Sequence, residues 1–468
     1  MPFRLSRSML TPLIIATALF MENMDATVIA TSLPAIAVDL GVDPIALKLA
    51  LTSYLVSLAV FIPLSGWMAD RFGARRIFRA AIVVFSAGSL LCAASGSLAG
   101  FVLARFIQGI GGAMMVPVGK LVILRTTEKS QLVRAMSYLT IPALLGPVVG
   151  PPLGGFISTY FHWRWIFLIN LPIGLLGLLL AGRYIANLRD DKVPPLDGRG
   201  FVLVGLGLSL AMLGLASEGK HLLSAGVSTT LTLLGLLLLA LYPWHARRRP
   251  HPLLDLSLLR LPTFHVSIVG GFLFRAGMGS TPFLLPLMLQ LGFGLTPFQS
   301  GLLTCSTALG AMFMKTIVSR ILQRFGFRRV LLVNSVLCGL SFAGYGLFDA
   351  HSPHWLMLAT FLLGGCLRSL QFTSLNAIGF ADIGPAGMSH ASTLSSVAMQ
   401  LASGVGVTLA AFALQGVAQW QGHATLQASD FSWAFLLMGL LAMLSTLQFR
   451  RLHPHAGAAL ARPATNEG

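Results

Sequence analysis

Long apolar segments recur along almost the whole chain, and each is roughly 20 residues long, the length needed to cross the hydrocarbon core of a bilayer. Of the 468 residues, 55% are hydrophobic and only 10% are charged, a balance outside that of soluble globular domains. Transmembrane β-barrels show short alternating segments instead of continuous apolar runs. The sequence therefore predicts an all-α polytopic membrane protein.

The polar breaks between these runs predict fourteen membrane spans. The first run carries two acidic residues and is too long for the core of a signal peptide, so we interpret it as an uncleaved span. The predicted spans cover residues 10–33, 47–69, 77–96, 99–123, 136–160, 164–186, 200–217, 226–244, 264–291, 298–319, 328–348, 354–380, 388–417 and 430–449.

Two basic linkers, one after span six and one after span eight, separate a central pair of spans from the rest. We therefore expect four parts. They are an N-terminal six-helix bundle (1–190), linkers with two additional transmembrane helices (191–260), a C-terminal six-helix bundle (261–452) and a disordered cytoplasmic tail (453–468).

The net charge of +17 is concentrated in alternate loops. Only Lys48, Arg164 and Lys220 fall on the opposite side, and four basic residues lie within spans. An excess of Lys and Arg marks the cytoplasmic side, so both termini are expected to be cytoplasmic. The charge is thus a topology signal and does not indicate nucleic-acid binding.

Two carboxylates, Glu22 and Asp25, lie inside the first apolar run, three residues apart on one helix face. A carboxylate at membrane depth is costly and normally faces a bundle interior or a water-filled cavity. This pattern indicates a proton site, because each acid disfavours ionisation of the other. The alternative is that both lie near a helix end and are solvated.

The sequence contains an internal repeat. The segment 71–76 (RFGARR) follows span two, and a similar segment 324–329 (RFGFRR) follows span ten, 253 positions later. Similar loops in corresponding places predict two six-span halves related by a parallel repeat. The same offset places Arg275 opposite Glu22, so we hypothesise an ion pair between them within the membrane. The alternative is that Arg275 snorkels or faces a wet channel alone.

The segments 66–76, 103–113, 146–155 and 163–174 (WRWIFLINLPIG) resemble motifs of one known family. That family is the major facilitator superfamily, and more narrowly its fourteen-span drug:proton antiporter branch of EmrB/QacA type, with most resemblance to the MdtD-like group. The segment 66–76 resembles the loop motif between spans two and three, 103–113 the fourth-span motif, and 163–174 a segment of that branch. The segment 146–155 resembles the fifth-span antiporter motif. The motif positions are Gly66, Asp70, Arg71, Gly73, Arg75 and Arg76 in the loop, and Gly146, Pro147, Gly150, Pro151, Gly154 and Gly155 in the fifth span.

The resemblance implies that the loop motif gates the cytoplasmic side and that the fifth-span bend favours exchange over leak. It also places Arg105 near the proton pathway, where the guanidinium would act on Asp25 or Glu22. The plainer alternatives are that the arginines only set topology and that the glycines only permit close helix packing. The second half lacks the loop acid, since Gln323 occupies that place.

Further polar residues within the spans are candidates for a substrate cavity, although each could instead face a neighbouring helix or a membrane end. They are Gln108, Arg275, Lys315, Arg368, Gln371 and Asn376. The four cysteines show no spacing typical of metal ligands, so no metal or other cofactor is expected. The sequence has no phosphate loop, so we expect no ATP hydrolysis and no enzymatic activity, with energy taken from a proton gradient.

These observations together predict a proton-coupled exporter of lipophilic drugs or toxic compounds, working by alternating access as a monomer in the inner membrane of a bacterium. The basic residues in the second half leave open a small organic anion or metal chelate as substrate, moved by export or by symport. A non-transporting membrane sensor is the alternative from another class. The expected partners are the substrate, protons and the lipid bilayer.

Overall fold

The computed structural model describes residues 7–127, 132–189, 193, 195–217, 223–384, 387–423 and 425–457, with side chains for all of these except 7–10 and 132–143. Lys220 and positions 458–468 of the predicted tail lie outside the described residues. Helices dominate. They are α1 Arg7–Leu40, α2 Lys48–Phe72, α3 Ala74–Ala94, α4 Leu98–Thr126, α5 Leu132–Tyr160, α6 Trp165–Leu168, α7 Asn170–Tyr184, α8 Gly198–Ser217, α9 Ala225–Ala246, α10 Pro262–Gly279, α11 Thr281–Leu287, α12 Pro297–Phe325, α13 Phe327–Tyr345, α14 His354–Gly379, α15 Met388–Gln421, α16 Ala428–Leu444 and α17 Thr446–Phe449.

Each predicted span has a helical counterpart. Within the described residues, 13 helical segments are long and apolar enough to cross a membrane, and α5, with 29 residues, is also of membrane length. Three spans are interrupted helices: α6 with α7, α10 with α11 and a π-helical turn at Met288–Gly292, and α16 with α17. The prediction of an all-helical polytopic membrane fold is confirmed.

Several helices continue past the ends of the predicted spans. Helix α1 continues to Leu40 through Pro34, α12 runs to Phe325, and α15 runs to Gln421. A proline within a membrane helix is tolerated because neighbouring groups satisfy the freed backbone carbonyl. The helices also extend beyond the apolar segments, since the hydrophobic pattern marks only the part inside lipid.

The chain divides into two compact units, Met1–Leu253 and Leu254–Gly468. In the first unit, α1 packs against α5 and α7, α3 packs against α4 and α7, and α2 packs against α4. Buried side chains such as Ile15, Phe78 and Val118 form the core among α1, α3 and α4. Helix α8 packs against both α2 and α9, so the two additional helices belong to this unit.

The second unit repeats the packing of the first. Helix α10 packs against α15 and α16, α13 packs against α14 and α16, and α12 packs against α14. These pairs correspond one by one to those of α1, α3 and α2 in the first unit. The internal repeat read from the loop sequences is therefore present in the fold.

The same turn joins the second and third helices of each half. Gly73, between α2 and α3, has φ 97°, and Gly326, between α12 and α13 and 253 positions later, has φ 73°. Residues with a Cβ rarely adopt such angles, so glycine is needed at both turns. At Gly73 an added Cβ would also lie 2.4 Å from Oδ1 of Asn187.

The structure describes only the first residues of the predicted cytoplasmic tail. Leu452, the last residue of the predicted C-terminal bundle, is 3% exposed, whereas His453, Pro454 and His455 are exposed. A Cβ added at Gly457 would lie 2.7 Å from Cδ1 of Ile378 and 2.8 Å from Cδ2 of Phe327, so the backbone passes close to the end of α14 and the start of α13. The disorder of the tail and the four-part division stay predictions.

Candidate functional site

Asp25 lies at the centre of a buried polar network inside the first unit. Its side chain is paired with Arg105 of α4, with Nη1 2.6 Å from Oδ2. Its Oδ1 accepts hydrogen bonds from Nε2 of Gln108 at 2.9 Å and from Nδ2 of Asn170 at 2.8 Å. Three helices, α1, α4 and α7, therefore meet at one carboxylate.

Ser89 of α3 connects the two amide side chains of this network. Its hydroxyl accepts from Nε2 of Gln108 at 2.8 Å and from Nδ2 of Asn170 at 3.2 Å, and itself donates to the carbonyl of Phe85. Asp25, Arg105, Gln108 and Asn170 are each at most 2% exposed. Such a network is stable only because nearly every polar group in it has a partner.

Arg105 is held on three sides. Its Nη1 also donates to Oε1 of Gln108, and its guanidinium carbon lies 4.2 Å from the ring centre of Tyr54 on α2. Arginine stacks readily on aromatic faces, where a cation is attracted to the ring. The charge of Arg105 is thus matched by one carboxylate and one aromatic face within the apolar bundle.

The glycines of the antiporter motif set the position of the helix that carries Asp25. Gly146, Gly150 and Gly154 recur every four residues and face α1. A Cβ added at Gly150 would lie 2.1 Å from Oγ1 of Thr27, and one at Gly154 would lie 2.4 Å from the carbonyl oxygen of Val28. Small residues at this spacing allow two membrane helices to approach closely. Helices α1 and α5 are therefore in backbone contact beside Asp25.

Hydrogen bonds between side chains of α1 and groups of α5 accompany this close packing. Thr31 of α1 donates from Oγ1 to the carbonyl of Pro151 at 3.3 Å. Ser158 adds a hydrogen bond to Ser32 at 2.7 Å between the hydroxyl oxygens. Pro147 is half-buried and Gly155 is buried.

Glu22 is separated from the Asp25 network although it lies on the same helix. A Cβ added at Gly112 would lie 3.0 Å from the hydroxyl oxygen of Tyr54 and 3.7 Å from the carboxyl carbon of Glu22, so both groups border that glycine. Among the described residues, Oε2 of Glu22 is buried and has no hydrogen-bond partner. The two acids therefore differ: one is fully bonded and the other is not.

Ion pairs tie helices together at both ends of the first unit. At one end, Asp70 of the loop motif pairs with Arg125 of α4 at 2.9 Å. At the other, Arg164 donates to Asp39 of α1 at 2.7 Å and to the carbonyl of Ser95 at 3.0 Å. The loop motif thus connects α2 to α4, and the start of the 163–174 segment connects α1 to α3.

The remaining loop-motif positions differ in exposure. Gly66, Arg71 and Arg76 are exposed, Arg75 is half-buried and Gly73 is buried. The neighbouring Ala74 donates its backbone N–H to the carbonyl of Leu188 at 2.8 Å, which ties the turn to the segment after α7.

In the second unit, the sequence candidates do not form one cluster. Arg275 is 1% exposed and donates from Nη2 to Oδ1 of Asn376 at 2.8 Å. Its Nε and Nη1 are buried and have no hydrogen-bond partner among the described residues. Lys315 is exposed on α12. The hypothesised pair between Glu22 and Arg275 joins the two units and stays a prediction.

Two further candidates of the second unit lie elsewhere on α14. Gln371 is fully buried, donates to the carbonyl of Leu331 and accepts from Asn334 of α13. Arg368 is half-buried and lines a small cavity with Tyr345 and Thr281. Gln371 therefore links helices, whereas Arg368 borders this small cavity.

The sequence singled out Asp25, Arg105 and Gln108, and the structure brings these three together. The sequence did not single out Asn170, Ser89 and Tyr54, which complete the network. Asn170 lies in the 163–174 segment that resembles the antiporter branch. An amide side chain inside an apolar run was the sequence signal that could have identified it. Gln108, expected as a cavity residue, is fully buried and bonded to Asp25 instead.

Comparison with known families identifies the class of protein to which this fold belongs. The family model "Major Facilitator Superfamily" matches residues 15–407 and, in a second match, residues 267–466. The chain belongs to the major facilitator superfamily and is a multi-pass membrane transporter of small molecules rather than an enzyme.

Among curated proteins, the chain is similar to sequences named "Putative multidrug resistance protein MdtD". It is 38% identical to the one from Citrobacter koseri over 462 residues, covering 96% of each chain. It is 37% identical to the one from Salmonella typhimurium over 450 residues, covering 94% of each. The one from Serratia proteamaculans is 36% identical over 441 residues, covering 94% of this chain and 92% of that protein.

Solved structures share the fold at low sequence identity. A peptide transporter POT in complex with sulfate aligns with a TM-score of 0.72 at 14% identity, covering 98% of this chain and 96% of that one. A D-xylose-proton symporter aligns with a TM-score of 0.67 at 13% identity, covering 97% and 99%. At this identity the similarity establishes the fold alone.

Proposed function

We propose that the protein is a proton-coupled antiporter that exports small lipophilic compounds by alternating access. The observation that carries the proposal is the buried carboxylate of Asp25, held by Arg105, Gln108 and Asn170. A transporter gains from such a costly group when the group handles a proton or a substrate. The name of the curated relatives supports a substrate of the multidrug type.

In the proposed mechanism, a proton and a guanidinium compete for Asp25. Protonation removes the negative charge that holds Arg105, so the ion pair opens and the contact between α1 and α4 weakens. Gln108 and Asn170 carry amides that can bond either form of the carboxyl group. A change of protonation thereby shifts the balance between two access states, which is the requirement for coupling.

Glu22 is the proposed second proton site. Its Oε2 is buried and has no hydrogen-bond partner among the described residues. A buried charge without a partner is costly, and a proton on Glu22 removes that cost. Glu22 can therefore take up a proton without displacing any partner seen in this state, whereas a proton on Asp25 displaces Arg105.

The contact between α1 and α5 supplies the mechanical link. Because Gly150 and Gly154 bring the two backbones together, the helices move as one body. A displacement of α5 during the access change therefore also displaces Asp25 relative to Arg105. The ion pairs Asp70–Arg125 and Asp39–Arg164 are the contacts expected to break and form at the two ends.

We propose a location in the bacterial inner membrane with both termini cytoplasmic, on the distribution of Lys and Arg between loops. Everted membrane vesicles then present the cytoplasmic face to the medium. With an imposed proton gradient, we expect uptake of a lipophilic cationic dye that a protonophore abolishes. Uptake in vesicles with Asp25→Asn should fall to the level of vesicles without the protein. Uptake that is unaffected by the protonophore would contradict proton coupling.

A small organic anion is the second candidate substrate, and Arg275 favours it. This cation is buried, and two of its nitrogens have no hydrogen-bond partner among the described residues. An anion is the natural partner of such a group. In the same vesicles, uptake of a carboxylate compound that is lost in Arg275→Gln, with no uptake of cations, would favour this candidate. Uptake of no compound of either charge would count against export and would favour the alternative of a non-transporting membrane sensor.

A further inference from the structure

A groove of about 890 Å³ lies between the start of α8 and the end of α9, wholly inside the first unit. These are the two helices added to the repeated halves, and the proposed transport mechanism does not use them. The groove is lined by Pro195, Leu196, Asp197, Gly198, Arg199, Val202, Leu203, Leu241, Trp244, His245, Arg249, Pro250 and His251.

The lining is layered along the helix axes. Val202 and Leu241, 51% and 45% exposed, form the apolar part within the spans. Trp244 follows one turn further along α9, and the guanidinium of Arg248 lies 3.7 Å from its ring centre. Trp is enriched where a membrane meets water, so this ring marks the depth of the lipid headgroups.

The polar end of the groove is cationic. Arg199 and Arg249 are exposed there beside His251. Among the residues that the structure describes, neither arginine makes an ion pair with an acid. Cations set at headgroup depth above an apolar wall match a molecule with an anionic head and an apolar tail.

Asp197 also lines the groove, but its charge is already matched. Its Oδ1 accepts from Nε2 of His245 at 2.7 Å and from the backbone N–H of Gly200 at 3.0 Å, and its Oδ2 accepts from the N–H of Leu253 at 3.3 Å. The side chain is only 4% exposed. Asp197 thus fixes α8, α9 and the following segment in one arrangement, so the groove is a built site.

We propose that this groove binds an anionic phospholipid, with its phosphate between Arg199 and Arg249 and an acyl chain along Val202 and Leu241. The charge of the lining selects an anionic headgroup over a zwitterionic one. The apolar wall selects a lipid over a soluble phosphate. The site is independent of the Asp25 network and stands whether or not the protein exports drugs.

The test is native mass spectrometry of the purified, delipidated full-length protein, titrated with phosphatidylglycerol or with phosphatidylethanolamine. The first phosphatidylglycerol should bind more tightly than phosphatidylethanolamine. Each arginine near an anionic surface contributes about fivefold in affinity, so Arg199→Gln/Arg249→Gln should weaken phosphatidylglycerol roughly 30-fold. Equal binding of the two lipids to the wild type would overturn the proposal.

The matched control is Arg247→Gln/Arg260→Gln, which removes the same amount of charge from exposed positions between α9 and α10, outside the groove lining. It should leave the affinity within about twofold of wild type, because only the lining arginines reach the phosphate. An equal loss in both double variants would mean that diffuse charge attracts the lipid, and would refute a site.

Two further arms separate a lipid from a soluble anion. Val202→Trp keeps all charges but fills the apolar wall, and should abolish the tight first binding event. Glycerol phosphate or inorganic phosphate, added at the lipid concentration, should not displace phosphatidylglycerol. Displacement by either, or normal lipid binding in Val202→Trp, would show that the groove takes a soluble phosphate and that the lipid proposal is wrong.

Discussion

Removing one charge of the buried ion pair between Asp25 and Arg105 should destabilise the protein far more than removing both charges. In Asp25→Asn, Oδ1 can still accept from Gln108 or Asn170, but the new Nδ2 faces Nη1 of Arg105, donor against donor. Arg105 is 1% exposed and would keep a charge with no counterion. Loss of one partner of a buried pair costs about 3–5 kcal/mol, so we expect a loss of that size in the free energy of unfolding.

The double variant Asp25→Asn/Arg105→Gln removes both charges and keeps two amides that can bond each other. Replacing a buried pair by neutral groups is often close to neutral, and the shorter side chain leaves a gap against Tyr54 that costs about 1–2 kcal/mol. The double variant should therefore be at least about 1 kcal/mol more stable than Asp25→Asn alone. Its transport should remain absent, because the coupling carboxylate is missing.

The assay is unfolding in mild detergent by titration with a denaturing detergent, followed by circular dichroism. Arg247→Gln, an exposed arginine outside the network, serves as the control and should change the free energy of unfolding by no more than about 0.5 kcal/mol. If the double variant is no more stable than Asp25→Asn, the charge imbalance is not the cause of the loss, and the electrostatic reasoning is wrong.

Two other predictions concern the helix contacts. Gly150→Ala should lower the free energy of unfolding by about 1–3 kcal/mol, because the added Cβ would lie 2.1 Å from Oγ1 of Thr27, whereas Gly416→Ala, with nothing within 4 Å, should cost nothing in the same titration. Burial raises the pKa of Asp197, but hydrogen bonds from His245 and from two backbone N–H groups outweigh it and hold the pKa below its ordinary value. The hydrogen-bonded carboxylate of Asp197 therefore stabilises the folded state above the unfolded pKa of about 3.9. This stabilisation is lost as the pH falls through the lower pKa of the folded state. Hydrogen-exchange protection at the start of α8 should therefore drop below about pH 4 in the wild type and be independent of pH in Asp197→Asn; equal pH dependence in both would contradict this.

Much of the fold was predictable because lipid restricts which backbone structures a membrane segment can form. A helix must satisfy its own backbone in lipid, so each apolar run of sufficient length corresponds to one helix. The repeat was visible because Gly73 and Gly326 both adopt positive φ, which explains the glycine that the two similar loops share. Helix ends were less predictable, since α1 continues through Pro34 and past the apolar segment to Leu40.

The site was predictable only in part. Asp25 and Arg105 stood out because charges within spans are rare. The sequence did not show which partner each would take, because the distances between helices are set by tertiary packing, as between Gly150 and Thr27. Asn170 was overlooked as an individual residue since a neutral amide costs less in a span than a charge does.

The sequence did not predict what the two extra helices pack against. The basic linkers indicated a central pair of spans, and in the structure α8 of this pair packs against α2 within the first unit. The sequence also did not indicate two pairs between a histidine and an acid: His423 lies 2.9 Å from the fully buried Asp430, and His245 lies 2.7 Å from Asp197. Both pairs form between segments whose proximity the sequence does not reveal.

The measurement that tests the central claim most directly is substrate-driven proton movement in proteoliposomes of purified protein carrying a pH gradient. The panel combines lipophilic cations with small organic anions. Wild type is compared with Asp25→Asn, with Asp25→Asn/Arg105→Gln, and with Asp349→Asn, whose acid lies in an exposed loop. We predict that at least one compound dissipates the gradient in wild type and in Asp349→Asn and does nothing in either Asp25 variant. A folded Asp25→Asn protein that moves protons as wild type does would contradict the claim that Asp25 is the coupling site.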